Sequence, residues 1–149
     1  MRVLLDTNVI VDVLQNREPW CQAGKIIFLA AATEQIRSCI TTKQLANIHY
    51  LTKRSFHGQE HIDELAKNVI GKLLQFMELL DTCAVDCQMA IGINNNDFED
   101  AMLIACASRE SLDYIVTRNP DHFENSDVPV ISPSDFSAML QQNAKEQTV

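Results

Sequence analysis

The chain has 149 residues, 46% hydrophobic and 21% charged, with four glycines and four prolines; this fits one globular domain and excludes a disordered or fibrous chain. Its formal net charge of −8 argues against a broad electrostatic grip on nucleic acid, yet leaves room for a carboxylate-lined metal site and a basic partner. Five scattered cysteines, Cys21, Cys39, Cys83, Cys87 and Cys106, make no even framework and no Cys/His set for zinc, so they read as free thiols in a reducing compartment.

In chain order, Arg2–Leu5 reads as a short buried strand ending at Asp6. That early charge leaves no signal-peptide core, and the apolar run Ile26–Ala32 is too short to span a bilayer. A cytoplasmic protein is expected. Asn8–Leu14 is helical, and Pro19 sits at the first position of a second helix running to Ala32. Ile36–Ile40 is the next strand, and Thr41 or Thr42 caps a helix to about Arg54. Ser55–Gln59, containing Gly58, is a connection. From Ile62 through Leu65, Ala66, Val69, Ile70, Leu73 and Met77 to Leu80, apolar residues recur at spacings of three and four, which predicts one amphipathic helix. Thr82–Val85 reads as the third strand, before a short helix around Cys87–Ile91 and an Asn94–Asn96 turn. Asp97–Leu112 is helical, Asp113–Thr117 and Val128–Ile131 are the fourth and fifth strands, and Pro133 opens the last helix. Strands alternating with helices, without a hairpin signal, predict a three-layer α/β/α sandwich around a parallel sheet of about five strands. It forms one domain over residues 1–140, with a polar tail at 141–149.

Ligands of such sheets bind beyond the carboxyl ends of the strands. Three polar clusters fall there: Asp6-Thr7-Asn8, Asp97-Phe98-Glu99-Asp100 and Thr117-Arg118-Asn119-Pro120-Asp121. Carboxylates distant in sequence then converge at one edge, as a hard divalent cation requires of oxygen ligands. Each cluster also has an ordinary reading. Asp6 alone is a turn residue closing a strand, Asp97 with Asp100 has the pattern of a helix cap, and Asn119-Pro120-Asp121 is a turn signal. Asp100 differs, because Ala101 and Met102 lead straight into an apolar face and an acid bordering that face needs a partner. His122 reads as a surface residue.

The strings LLDTNVIVDVL, NDFEDAMLIACA, YIVTRNPDHF and PVISPSDF, in this order and spacing, resemble the PIN-domain family, and in particular its bacterial toxin-like branch, over approximately residues 1 to 140. The resemblance implies a central parallel sheet and Mg²⁺- or Mn²⁺-dependent hydrolysis of RNA phosphodiesters. It also implies a homodimer and an antitoxin protein as partner. Carried over by motif, Asp6 and Asp100 are the metal ligands, and with Asp121 they make the catalytic set. Thr7 and Thr117 line the site, Asp97 stands at its margin, and Asn119 lies with Asp121 where the family has a variable last acid or its amide substitute. One departure stands out. The position of the family's third-helix glutamate is Asn47, and no Asp or Glu occurs anywhere from Gln35 to Gln59. Asn47 shares a helical face with Lys43, Tyr50 and Arg54, of which Lys43 and Arg54 are candidates for RNA phosphates.

The resulting expectation is a metal-dependent endoribonuclease, the toxin of a toxin–antitoxin pair. The alternative, favoured by the missing acid, is a degenerate PIN-like module that binds RNA or protein without cutting. An aspartyl-nucleophile phosphatase wants a second Asp where this chain has Asn8, and a dinucleotide-binding fold wants a glycine-rich turn that is not there.

Overall fold

A computed structural model describes residues 1–146. Its centre is β1 (Arg2–Leu5), whose Val3, Leu4 and Leu5 are fully buried because helices cover both faces of the sheet. The remaining strands are β2 (Arg37–Thr41), β3 (Met77–Leu80), β4 (Tyr114–Val116) and β5 (Val130–Ile131), all parallel, in the order β3-β2-β1-β4-β5. The helices are α1 (Thr7–Leu14), α2 (Cys21–Ala32), α3 (Thr42–Ser55), α4 (Ile62–Leu73), α5 (Ala84–Gly92), α6 (Phe98–Arg109) and α7 (Pro133–Glu146), with a 3₁₀ turn at Pro120–Phe123. This is the expected three-layer α/β/α sandwich. Alternation along the strands sorts the core: Val3, Leu5, Ile40 and Val116 pack with Ile27, Ile48 and Phe136 on one face, while Leu4, Cys39 and Ile115 meet Leu103, Ile104 and Phe123 on the other. No helix among the described residues is long and apolar enough to cross a membrane.

Strand order reverses at β1, which has β2 on one side and β4 on the other, so the chain's topological switch point lies between the carboxyl ends of β1 and β4. Gln44 fixes the helix above it. Fully buried, Gln44 completes a capping box with Thr41 on α3 and donates from Nε2 to the Leu5 carbonyl at 2.8 Å, tying the start of α3 to the end of β1.

The structure corrects the sequence reading at several places. The periodic run ending at Leu80 is not one helix. α4 stops at Leu73, and Met77–Leu80 is β3, registered on β2 from Ser38↔Met77 to Thr41↔Leu80. Met77 and Leu80 fit the helical spacing and Met77 and Leu79 the strand spacing, and pairing with the edge of β2 decides the matter. Thr82–Val85 is correspondingly not a strand. The Asp86 carboxylate accepts from the Cys83 backbone N–H at 2.9 Å and caps α5 at Ala84. α2 begins at Cys21, two residues beyond Pro19. α7 continues as helix through the polar stretch to Glu146, and residues 147–149 lie outside the described part.

Asp86 also joins α5 to α6. Its fully buried carboxylate accepts from Arg109 Nε at 2.7 Å and Nη2 at 3.1 Å. Burial alone would push this carboxyl up, but the guanidinium and the Cys83 N–H bring it below the usual range. Its stabilising contribution is therefore present above its unfolded-state pKa and is lost as pH falls through the lower folded value. Denaturant unfolding of Asp86→Ala should show a loss of about 3 kcal/mol at pH 7, since the substitution removes the α5 cap together with the buried carboxylate's pair to Arg109, with a smaller deficit in acid.

Candidate metal centre at the carboxyl edge

Asp6 sits where β1 becomes α1. Its backbone N–H continues the ladder by donating to the Val116 carbonyl at 2.9 Å, and its own carbonyl accepts the first turn of α1 from Val9 at 3.0 Å. The side chain is only 8% exposed with its residue. Its Oδ2 accepts from Thr117 Oγ1 at 2.7 Å and from Asn8 Nδ2 at 2.8 Å. Thr117 in turn accepts the Asn119 N–H at 3.1 Å, and Asn8 Oδ1 accepts the Arg118 N–H at 3.3 Å. The loop after β4 is thus laced to the loop after β1 around one carboxylate. Burial pushes the Asp6 carboxyl above the ordinary range, against the Thr117 hydrogen bond.

Asp100 approaches from the first turn of α6. Asp97 caps that helix, accepting from the N–H groups of Glu99 at 2.8 Å and Asp100 at 3.3 Å, so its side chain fills the capping role expected for it. The Asp100 side chain is 15% exposed and its Oδ2 lies 3.3 Å from His122 Nδ1. Its carboxyl is pushed up to about 6, first by burial and then by the charges of Asp6 and Asp97, with His122 opposing. Two half-paired carboxyls therefore repel each other at the switch point, and no Lys or Arg side chain forms a salt bridge with either among the described residues.

The other candidates divide. Thr7 Oγ1 accepts from Gln44 Nε2 at 3.4 Å and belongs to the tie between α3 and β1. Asp121, exposed on the 3₁₀ turn, lines with Asp97 and His122 a polar cavity of about 530 Å³ between the Asn94–Asn96 turn and the loop after β4. Asn119, also exposed, precedes the 3₁₀ turn. Asn47 donates from Nδ2 to Glu99 Oε1 at 2.6 Å, and Lys43 Nζ lies 3.1 Å from Glu99 Oε2. Lys43 thus spends its charge at the site. Arg54, eleven residues on and so about 16 Å along the helix, lies over the exposed Tyr50 ring.

Three residues here escaped the sequence reading. Glu99 reaches across to the Asn47 position and its charge raises the Asp6 carboxyl; its only sequence signal was membership of the DFED string. Asn8 holds Asp6, as the DTN string allows. His122 pairs with Asp100 without any signal of its own.

The sequence profile of the PIN domain matches residues 2–121, and the chain belongs to the PIN-domain family. No curated protein matches the sequence. The fold is similar to chains in three solved structures. VapBC2 from Rickettsia felis, bound to a fragment of promoter DNA, gives a TM-score of 0.65 at 16% identity over 89% of this chain and 98% of that one. A toxin–antitoxin complex from Klebsiella pneumoniae gives 0.62 at 18% over 88% and 97%. VapBC-1 from nontypeable Haemophilus influenzae gives 0.63 at 20% over 90% and 99%.

The repulsion between Asp6 and Asp100 has a measurable sign. A carboxyl raised in the folded state contributes stability below its unfolded pKa, near 3.8, and loses it as pH rises through the folded value. In EDTA, Asp100→Asn should therefore melt at the same temperature as the parent near pH 4 but higher at pH 7, by about 2–4 °C for each kcal/mol of repulsion removed. Calorimetric scans of both proteins across that range test the point.

Proposed function

We propose that this PIN-domain protein is a divalent-metal-dependent endoribonuclease and the toxin of a toxin–antitoxin pair. The observation that carries the reading is the Asp6–Asp100 pair: one buried and one partly buried carboxylate at the topological switch point, close enough for the Asp6 charge to raise the Asp100 carboxyl, with no Lys or Arg paired to either among the described residues. That donor set suits a hard ion. Mg²⁺ is commonly held by one or two carboxylates and keeps several waters. Asp6 and Asp100 would hold Mg²⁺ or Mn²⁺, with Asp121 and Asp97 lining the adjoining cavity. Such an ion, when bound, supplies Lewis acidity toward water and the phosphodiester and offsets charge in the transition state.

The remaining work falls to the chain. Thr117 and Asn8 hold the Asp6 carboxylate in one orientation, so little reorganisation is needed. His122 stands 3.3 Å from Asp100 at the rim. Lys43, paired with Glu99 at the same rim, would exchange that carboxylate for an incoming RNA phosphate. The neighbours that come from toxin–antitoxin complexes support an antitoxin for this chain, and its net charge of −8 suits a basic antitoxin segment. A homodimer is the assembly we expect. The competing reading, an RNA- or protein-binding module without nuclease activity, draws on the Asn47–Glu99–Lys43 cluster, which neutralises the third-helix position.

Cleavage of single-stranded RNA should require Mg²⁺ or Mn²⁺ and disappear in Asp6→Asn. Thr117→Val, which removes the hydrogen bond to Asp6 together with the one accepted from the Asn119 N–H, should weaken Mn²⁺ binding by about 10-fold or more in calorimetric titration. Moving the charge, with Asn47→Glu combined with Glu99→Gln, should tighten Mn²⁺ binding. Asn47→Glu alone should gain less, because the new carboxylate faces Glu99. Parent protein that binds RNA yet neither binds Mn²⁺ nor cuts would establish the binding-module reading instead.

A further inference from the structure

Beside the acidic centre lies a feature that the metal site does not use. Trp20, the chain's single tryptophan, caps the start of α2 and is 47% exposed. The Arg118 guanidinium carbon stands 4.3 Å from its ring centroid, so one ring face is covered by a cation while much of the indole stays in solvent. Arg118 is held from beneath. Its Nε lies 3.1 Å from Oδ2 of Asp12, a buried residue of α1, and Arg17 Nη1 lies 3.6 Å from the other Asp12 oxygen. Two guanidiniums share one carboxylate, which leaves one positive charge on a chain that is otherwise strongly acidic. The Arg118 backbone is hydrogen-bonded to Asn8, which is hydrogen-bonded to Asp6. This indole is fixed by Arg118, whose backbone is tied through Asn8 to the Asp6 carboxylate that would act on a phosphodiester.

We propose that Trp20 and Arg118 form a base-stacking platform for single-stranded RNA, taking an unpaired nucleobase on the indole next to the phosphate held at the acidic edge, with the surplus charge of Arg17 and Arg118 facing the backbone. The inference rests on the nuclease reading and narrows its substrate to unstacked nucleotides. Aromatic platforms accept any base but not a base within a duplex. Trp20 and Arg118 act here as substrate-binding residues, and Asp12 as the positioning residue behind them.

The single tryptophan makes the test direct. In Asp6→Asn protein, titration with a 12-nucleotide single-stranded RNA should quench Trp20 fluorescence, and the same sequence as a duplex should not. Trp20→Ala should weaken binding of that RNA by roughly 5- to 150-fold, the effect of losing one stacked base, while Trp20→Phe stays within about 3-fold of the parent by the same reasoning. In the otherwise parental enzyme, Trp20→Ala should raise KM and leave kcat nearly unchanged, which a loss of folding would not do. Unquenched fluorescence, with an unchanged Kd for Trp20→Ala measured by anisotropy of labelled RNA, would overturn the platform. So would quenching by a co-purified protein but not by RNA. Parent protein that cleaves RNA with a KM indifferent to Trp20 would remove the platform and leave the nuclease. Quenching by RNA without any cleavage would do the reverse.

Discussion

The structure turns on the burial of one carboxylate. Placing Asp6 at the end of a fully buried strand costs free energy unless its oxygens are met, and the chain meets them from two directions: Thr117 at 2.7 Å from the end of β4 and Asn8 at 2.8 Å from the first turn of α1. Those bonds join the β1 and β4 loops across the point where strand order reverses. Because α6 enters on the same edge, Asp100 comes into the field of a carboxylate whose hydrogen bonds are already committed. The repulsion that results is unfavourable for folding and favourable for a cation, as is common where local stability is given up at a site.

The charge balance around this pair departs from a simple family template. Asn47 on α3 carries no charge, but its amide holds Glu99 of α6, and Lys43 one turn earlier faces the same carboxylate. An acid is therefore present beside the α3 position although α3 supplies none, and a lysine neutralises much of it. Whether that carboxylate serves a cation depends on the competition between Lys43 and the ion, which is a question of charge rather than of fold. The positive locus around Arg118 and Arg17 lies beyond Asn8 from the acids. The edge thus offers a negative centre flanked by cations paired with Glu99 and Asp12, with one surplus charge at the Arg17–Arg118 locus, an arrangement suited to one phosphate at a time rather than to a long duplex.

Much of this was legible from residues alone, for a definite reason. A fully buried parallel strand must be continuously apolar, so VLL before Asp6 and YIV before Thr117 mark their strands, and parallel connectivity sends both following clusters to one edge. Asp97 could be read as a cap from its spacing because capping is a local event. Local periodicity failed at Met77–Leu80, where pairing with β2 overrode an apolar pattern compatible with either structure. It failed again at Thr82–Val85, where the Asp86 side chain caps a helix and pairs with Arg109, 23 residues away.

What the sequence by itself determined is four of the five strands, the layer architecture and the acids at the carboxyl edge, because these follow from hydrophobic period and short-range chemistry. Only the tertiary structure decided the pairings across that edge: Thr117 with Asp6, His122 with Asp100, Asn47 with Glu99, and Arg118 with Asp12 and Trp20. They join side chains separated by between 22 and 111 residues, the shortest separation being that of His122 and Asp100, whose approach the 3₁₀ turn sets. Side-chain reach and rotamer select such contacts once the backbone has brought the elements together, and no periodicity encodes them.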